Sequence, residues 1–150
     1  MDHKAIPEQV LMEHEMLTHL SSALRTALGW RMHGDMSRNL SSVRFVLHSF
    51  QRHLEHLMAL EEHDGYMDVV LEDHPTLCGE VEALRQDHDQ FRKSLQRTSA
   101  RLENLAGDDF PRFEMVCDEL RALLERIDQH SGKEIDLIQR ALVQDEGGQG

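Results

Sequence analysis

The chain is poor in the residues that punctuate or cross-link a fold. Of its 150 residues only three are proline, nine glycine and two cysteine, and aromatics make up just 5%. That shortage of breakers and flat side chains excludes a sandwich or barrel of short strands and favours long helices. The cysteines, Cys78 and Cys117, are far apart and form no CxxC pair. They read as small buried thiols in a reducing compartment rather than as a disulfide. Basic residues are also scarce, with 16 Lys and Arg against 28 Asp and Glu and a formal charge of −12. Phosphate backbones are held by clustered cations, so nucleic acid is excluded as a partner. An acidic surface suits solubility and attracts cations. No run of about 18 apolar residues is present to cross a bilayer, and no basic segment followed by an apolar one stands at the N-terminus. The chain is therefore expected to be cytoplasmic and free of membrane contact.

What the sequence has in abundance is helical periodicity. After Pro7, a first-turn proline, Val10, His14, Leu17, Ser21, Leu24 and Leu28 recur at spacings of four and three. Gly29 and Gly34 bracket a return over 30–37. A second stripe runs Val43, Val46, Phe50, His53, Leu57 and Leu60, with Glu61 beside it. Asp64-Gly65 weakens this helix locally, and Tyr66–Leu71 can extend it by one or two turns. Pro75 opens a third helix with the stripe Leu77, Val81, Leu84, His88, Phe91, Leu95, Thr98 and Leu102. Gly107-Asp108-Asp109 ends it and offers an N-cap to a fourth, where Pro111 again marks the first turn. The last stripe is Phe113, Val116, Leu120, Leu123, Ile127, His130, Glu134, Leu137 and Ala141. Four amphipathic helices with short loops fold most simply as an all-α, up-down-up-down four-helix bundle. One domain spans 1–145, and the polar, glycine-rich 146–150 is expected to be a disordered tail.

Ionisable groups inside apolar stripes are costly unless paired. A lone core histidine is more often satisfied by a hydrogen bond than by a metal, so the weight lies in the convergence of several. In an antiparallel bundle Glu61 lies about 15 Å, and His88 about 20 Å, above the end shared by helices two and three, at 1.5 Å per residue. His130 and Glu134 lie roughly 13–20 Å up helix four, and His14 about 10 Å above Pro7. The five side chains therefore share one layer. His130 and Glu134, four apart on one face, can address the same ion. Imidazole nitrogen with bridging carboxylate oxygen suits iron, and also manganese or zinc. Gly132 between them costs about 1 kcal/mol relative to alanine. It either leaves room at the site or is merely tolerated.

With these residues in place the chain resembles the hemerythrin-like, HHE cation-binding family. The stretches that carry the likeness are EHEMLTHL, HLEHLMALEEHDGYM, EALRQDHDQF and DQHSGKEIDLIQRAL, and it extends from about Ile6 to Asp145. The resemblance implies a four-helix bundle around a non-haem di-iron centre, with His14, His88 and His130 as nitrogen ligands. It also implies that Glu61 and Glu134 bridge two irons, one iron being the alternative. The family pattern further requires a histidine four residues before Glu61, where this chain has Leu57. His53, on the second stripe, is the favoured replacement, and the sixth ligand expected here. His56 reached through a π-bulge is the alternative, and an open position is a third. The other histidines, His3, His19, His33, His48, His63 and His74, read as surface or loop residues, with His63 a candidate to support a ligand from behind.

The resemblance implies binding or sensing of a small diatomic ligand such as dioxygen or nitric oxide. A redox or iron-handling role is a second expectation, consuming peroxide or donating iron to damaged iron–sulfur centres. An interaction module with a degraded site is the third. Whether the protein is an enzyme stays open at this level.

Overall fold

The structure, a computed structural model, describes residues 5–29 and 35–143. Its elements in chain order are α1 (Ala5–Gly29), α2 (Met36–Glu62), a short α3 (Tyr66–Asp73), a 3-10 turn (Pro75–Leu77), α4 (Cys78–Glu103) and α5 (Phe110–Ile138), which runs out in a π turn (Gln139–Val143). No strand occurs among the described residues. The long helix α1 packs on α2 and α5, and α4 packs on the same two. That ring of neighbours is a four-helix bundle, as the stripes require. The tail at 146–150, His3, His33 and most of the first return lie outside the described residues. No described helix is long and apolar enough to cross a membrane.

Local chemistry explains the helix ends. Asp35 caps α2 by accepting the Arg38 backbone N–H at 3.1 Å, and Asp109 caps α5 by accepting that of Arg112 at 3.3 Å. Between α2 and α3 the chain breaks rather than continuing helically. Asp64 takes a left-handed φ of 56°, and its N–H is received by the Asp68 carboxylate at 2.9 Å. Gly65 folds back so tightly that a Cβ there would stand 2.0 Å from the Leu60 carbonyl oxygen. Only glycine permits that approach. The break turns Tyr66 into the bundle, where it is fully buried.

Every stripe residue of α1 from Val10 to Leu28, of α4 from Val81 to Leu102 and of α5 from Phe113 to Ala141 is buried. The α2 stripe needs correction. Its buried seam is Leu40, Val43, Leu47, Phe50, Leu54, Leu57 and Glu61, with Met58 alongside. Val46, His53 and Leu60 fall only at its margin. The alternating three-and-four spacing through Leu47 and Leu54 is the more apolar track, and burial follows it. Cys117 is buried as expected but Cys78 is exposed, and neither is in a disulfide.

The apolar interior forms two clusters. The larger surrounds Leu24, Phe50, Leu95, Phe113 and Leu120. The smaller joins Val10, Tyr66, Val70, Val81, Leu84, Leu137 and Ile138. On α1, α4 and α5 the buried residues between the two clusters are ionisable, and α2 ends at the same level with buried Glu61.

Candidate metal centre

His14 lies between Val10 and Leu17, Glu61 between Met58 and Tyr66, His88 between Leu84 and Phe91, and His130 with Glu134 between Ile127 and Leu137. All four long helices thus give up core positions at one level. Exposure is 4% for His14, 0% for Glu61 and His88, 3% for His130 and 1% for Glu134. Water cannot satisfy these groups, so they must satisfy one another or hold something.

Glu134 is the hub. Its Oε1 lies 2.7 Å from His130 Nε2 and 3.6 Å from His14 Nε2. Its Oε2 lies 3.7 Å from His88 Nε2 and accepts a short hydrogen bond from the Tyr66 hydroxyl. Glu61 reaches His14 Nε2 at 3.2 Å through Oε2 and His88 Nε2 at 3.6 Å through Oε1. The donor atoms fall into two triads, His88/His130/Glu134 and His14/Glu61/Glu134, the atoms of each within 4.8 Å of one another. Glu134 belongs to both.

Electrostatics without a cation are divided between the two carboxylates. Burial, then the Glu134 charge, holds Glu61 well above the ordinary carboxylate range. Burial pushes Glu134 the same way, but the hydrogen bonds around it, His130 first, outweigh it and hold Glu134 well below that range. The pair accordingly keeps one neutral and one anionic member. Burial lowers His14. Burial also acts to lower His130, but Glu134 and Asp87 prevail and raise it.

The imidazoles are aimed from behind. His88 donates Nδ1–H to Glu62 at 2.7 Å, and Arg92 donates to the other Glu62 oxygen at 2.7 Å. His130 donates Nδ1–H to Asp87 at 2.9 Å. Carboxylates accept only, so each ring carries a proton on Nδ1 and points Nε2 inward, where a bound cation would take its lone pair. Phe91 meets the His130 ring edge-on, centroids 5.1 Å apart, and closes the site toward the larger apolar cluster.

Of the six ligands expected from sequence, five meet here and His53 does not. Its Nε2–H donates to the Glu13 carbonyl at 3.1 Å, with the Glu13 carboxylate 3.4 Å away, in a groove on the outside of α1 and α2. His56 is exposed in the same groove, and α2 contains no π-bulge that would turn it in. His63 is an exposed helix cap, and the acceptor behind His88 is its neighbour Glu62. His74 donates to the Ala141 carbonyl at 3.0 Å, away from the cluster. Sequence reasoning also missed Asp87, one residue before His88, and Tyr66. The Asp64-Gly65 pair was the available signal for Tyr66, since a break there re-aims the next side chain.

Buried, partnerless polar atoms test whether a cation fits. Glu61 Oε1 and His88 Nε2 face into the cluster and make no hydrogen bond, and His130 Nε2 faces the same space beside Glu134 at 2.7 Å. Two imidazole nitrogens and a carboxylate oxygen, all buried, are a donor set that suits a transition-metal ion. A family model described as the hemerythrin HHE cation binding domain matches residues 5–142, nearly the whole chain. No curated protein and no solved structure gives a significant match.

Proposed function

The chain belongs to the hemerythrin HHE cation-binding family, and on that premise we propose that it holds two iron ions in the buried layer and takes up a small diatomic ligand there. The observation that carries this reading is the pair of overlapping triads hinged on Glu134. Each buried donor left without a partner costs about 1–3 kcal/mol, and a cation answers several at once.

Iron, when bound in its reduced state, supplies both coordination positions and electrons for dioxygen or nitric oxide. The chain's own groups do the rest. His88 and His130 present fixed lone pairs, and Glu61 and Glu134 supply the anionic charge that a divalent ion needs. Tyr66 holds Glu134 in place through its hydroxyl. The two apolar clusters on either side exclude bulk water, which strengthens each electrostatic contact between them. A cytoplasmic setting, where iron is supplied in reduced form, belongs to this reading.

The test is to load the purified protein with ferrous iron without oxygen, measure bound metal, and then admit dioxygen or nitric oxide while recording the optical spectrum. Two irons per chain and a visible band that reverses when the gas is removed are expected. Irreversible bleaching with continued gas consumption would replace ligand binding by redox turnover. Absence of bound metal, with an unchanged melting temperature on adding iron, would leave only the interaction-module reading.

A further inference from the structure

The three imidazoles are not held alike. His88 is backed by Glu62, itself clamped by Arg92, and His130 is backed by Asp87. A carboxylate behind an imidazole fixes the ring's rotation and raises its basicity, and losing such a partner typically costs about 10–100-fold in metal affinity. Among the described residues His14 has no such support. Its Nδ1 is buried without a hydrogen-bond partner, and its polar ring contacts, to Glu61 and Glu134, are both on Nε2. The contribution of α2 to the His14 triad is equally thin. Of its two seam positions at this level, Glu61 carries a donor, whereas Leu57, one turn earlier, is buried and apolar. One triad thus has two nitrogens backed by carboxylates, and the other has one whose Nδ1 no carboxylate holds.

We infer that the two positions differ in affinity: an ion at His88/His130/Glu134 binds first and tightly, and an ion at His14/Glu61/Glu134 binds second and exchanges. This rests on the reading that both triads take metal. Its consequence is regulatory. At limiting metal the protein carries one ion, and occupancy of the His14 position follows the free metal concentration. The one-ion and two-ion forms present different charge and different open coordination at the same buried site, so the chain can report metal supply as well as bind a ligand.

The experiment is an anaerobic titration of metal-free protein with ferrous iron, repeated with redox-inert zinc, followed by calorimetry and metal analysis. Two steps at least tenfold apart in affinity are expected, and brief dialysis against a mild chelator should leave one ion bound. His14→Gln should delete the weaker step and spare the tighter. Asp87→Asn and Glu62→Gln should each weaken the tighter step by about 10–100-fold without changing the helical signal of the metal-free protein. A single step of two equivalent ions overturns the inference, as does loss of the tighter step in His14→Gln. Failure of the intact protein to bind either metal overturns the reading of the site itself.

Discussion

The Tyr66 hydroxyl donates to Glu134, the one carboxylate that both triads share. A residue placed by a helix break therefore steadies the central group of the cluster. In the metal-free protein Tyr66→Phe removes a buried hydrogen bond to an anionic carboxylate, a loss of about 1.5–3 kcal/mol. Chemical denaturation with and without iron checks this. The variant should be less stable when metal-free and should regain part of the difference on loading, since bound metal takes over the constraint on Glu134.

Glu134→Gln should abolish binding at both positions, whereas Glu61→Gln should leave one ion. The two carboxylates look equivalent in sequence but only one is common to both triads. Metal analysis after anaerobic loading separates them. Equal losses in the two variants would show that the bridging role is shared evenly.

His53→Ala and His56→Ala should leave bound metal unchanged, because both side chains lie in the outer α1/α2 groove. Leu57→His should add a nitrogen on the buried seam and tighten the second, weaker step of a metal titration. If His53→Ala instead lost metal, α2 would have to rotate on loading.

Two glycines are expected to behave oppositely. Gly132 is exposed and an added Cβ meets nothing within 4 Å, so it opens no room at the site. Gly132→Ala should stabilise the protein by about 1 kcal/mol without altering metal content. Gly65→Ala drives a methyl into the Leu60 carbonyl and should cost roughly 1–3 kcal/mol, with Tyr66 displaced. Thermal melts of the two variants give the comparison.

Chelation should lower the melting temperature, because metal binds the folded site and not the unfolded chain. Acidification should release metal for a related reason. Protons compete for the imidazole and carboxylate donors, so retention falls as pH falls. A melting temperature indifferent to chelator would mean that the buried groups satisfy one another unaided.

The bundle and the polar layer could be read from sequence because both depend on periodicity. Spacings of three and four placed His14, His88, His130 and Glu134 on buried tracks without knowledge of partners. On α2 two tracks one residue apart competed, and the wrong one carried His53. The correct track through Leu47 and Leu54 is the more apolar, and burial of large aliphatic groups decided the rotation of the helix. Glu62, Asp87 and Tyr66 escaped for a different reason. Their roles depend on which groups face them across the bundle, and sequence spacing on one helix says nothing about that.

The division of the interior into two apolar clusters makes the polar layer a seam of weakness as well as a candidate binding site. Cooperative unfolding is transmitted through contiguous packing, and here the packing is interrupted on α1, α4 and α5 at the height where α2 ends. The smaller cluster, formed by the start of α1, α3, the start of α4 and the end of α5, is expected to open as a unit while the larger stays folded. A cation held by these helices would act as a fastener across that seam. In amide exchange, metal should slow opening of the α3 end far more than that of the Leu24–Phe50–Leu120 end, so that metal occupancy tunes how far the molecule behaves as one body.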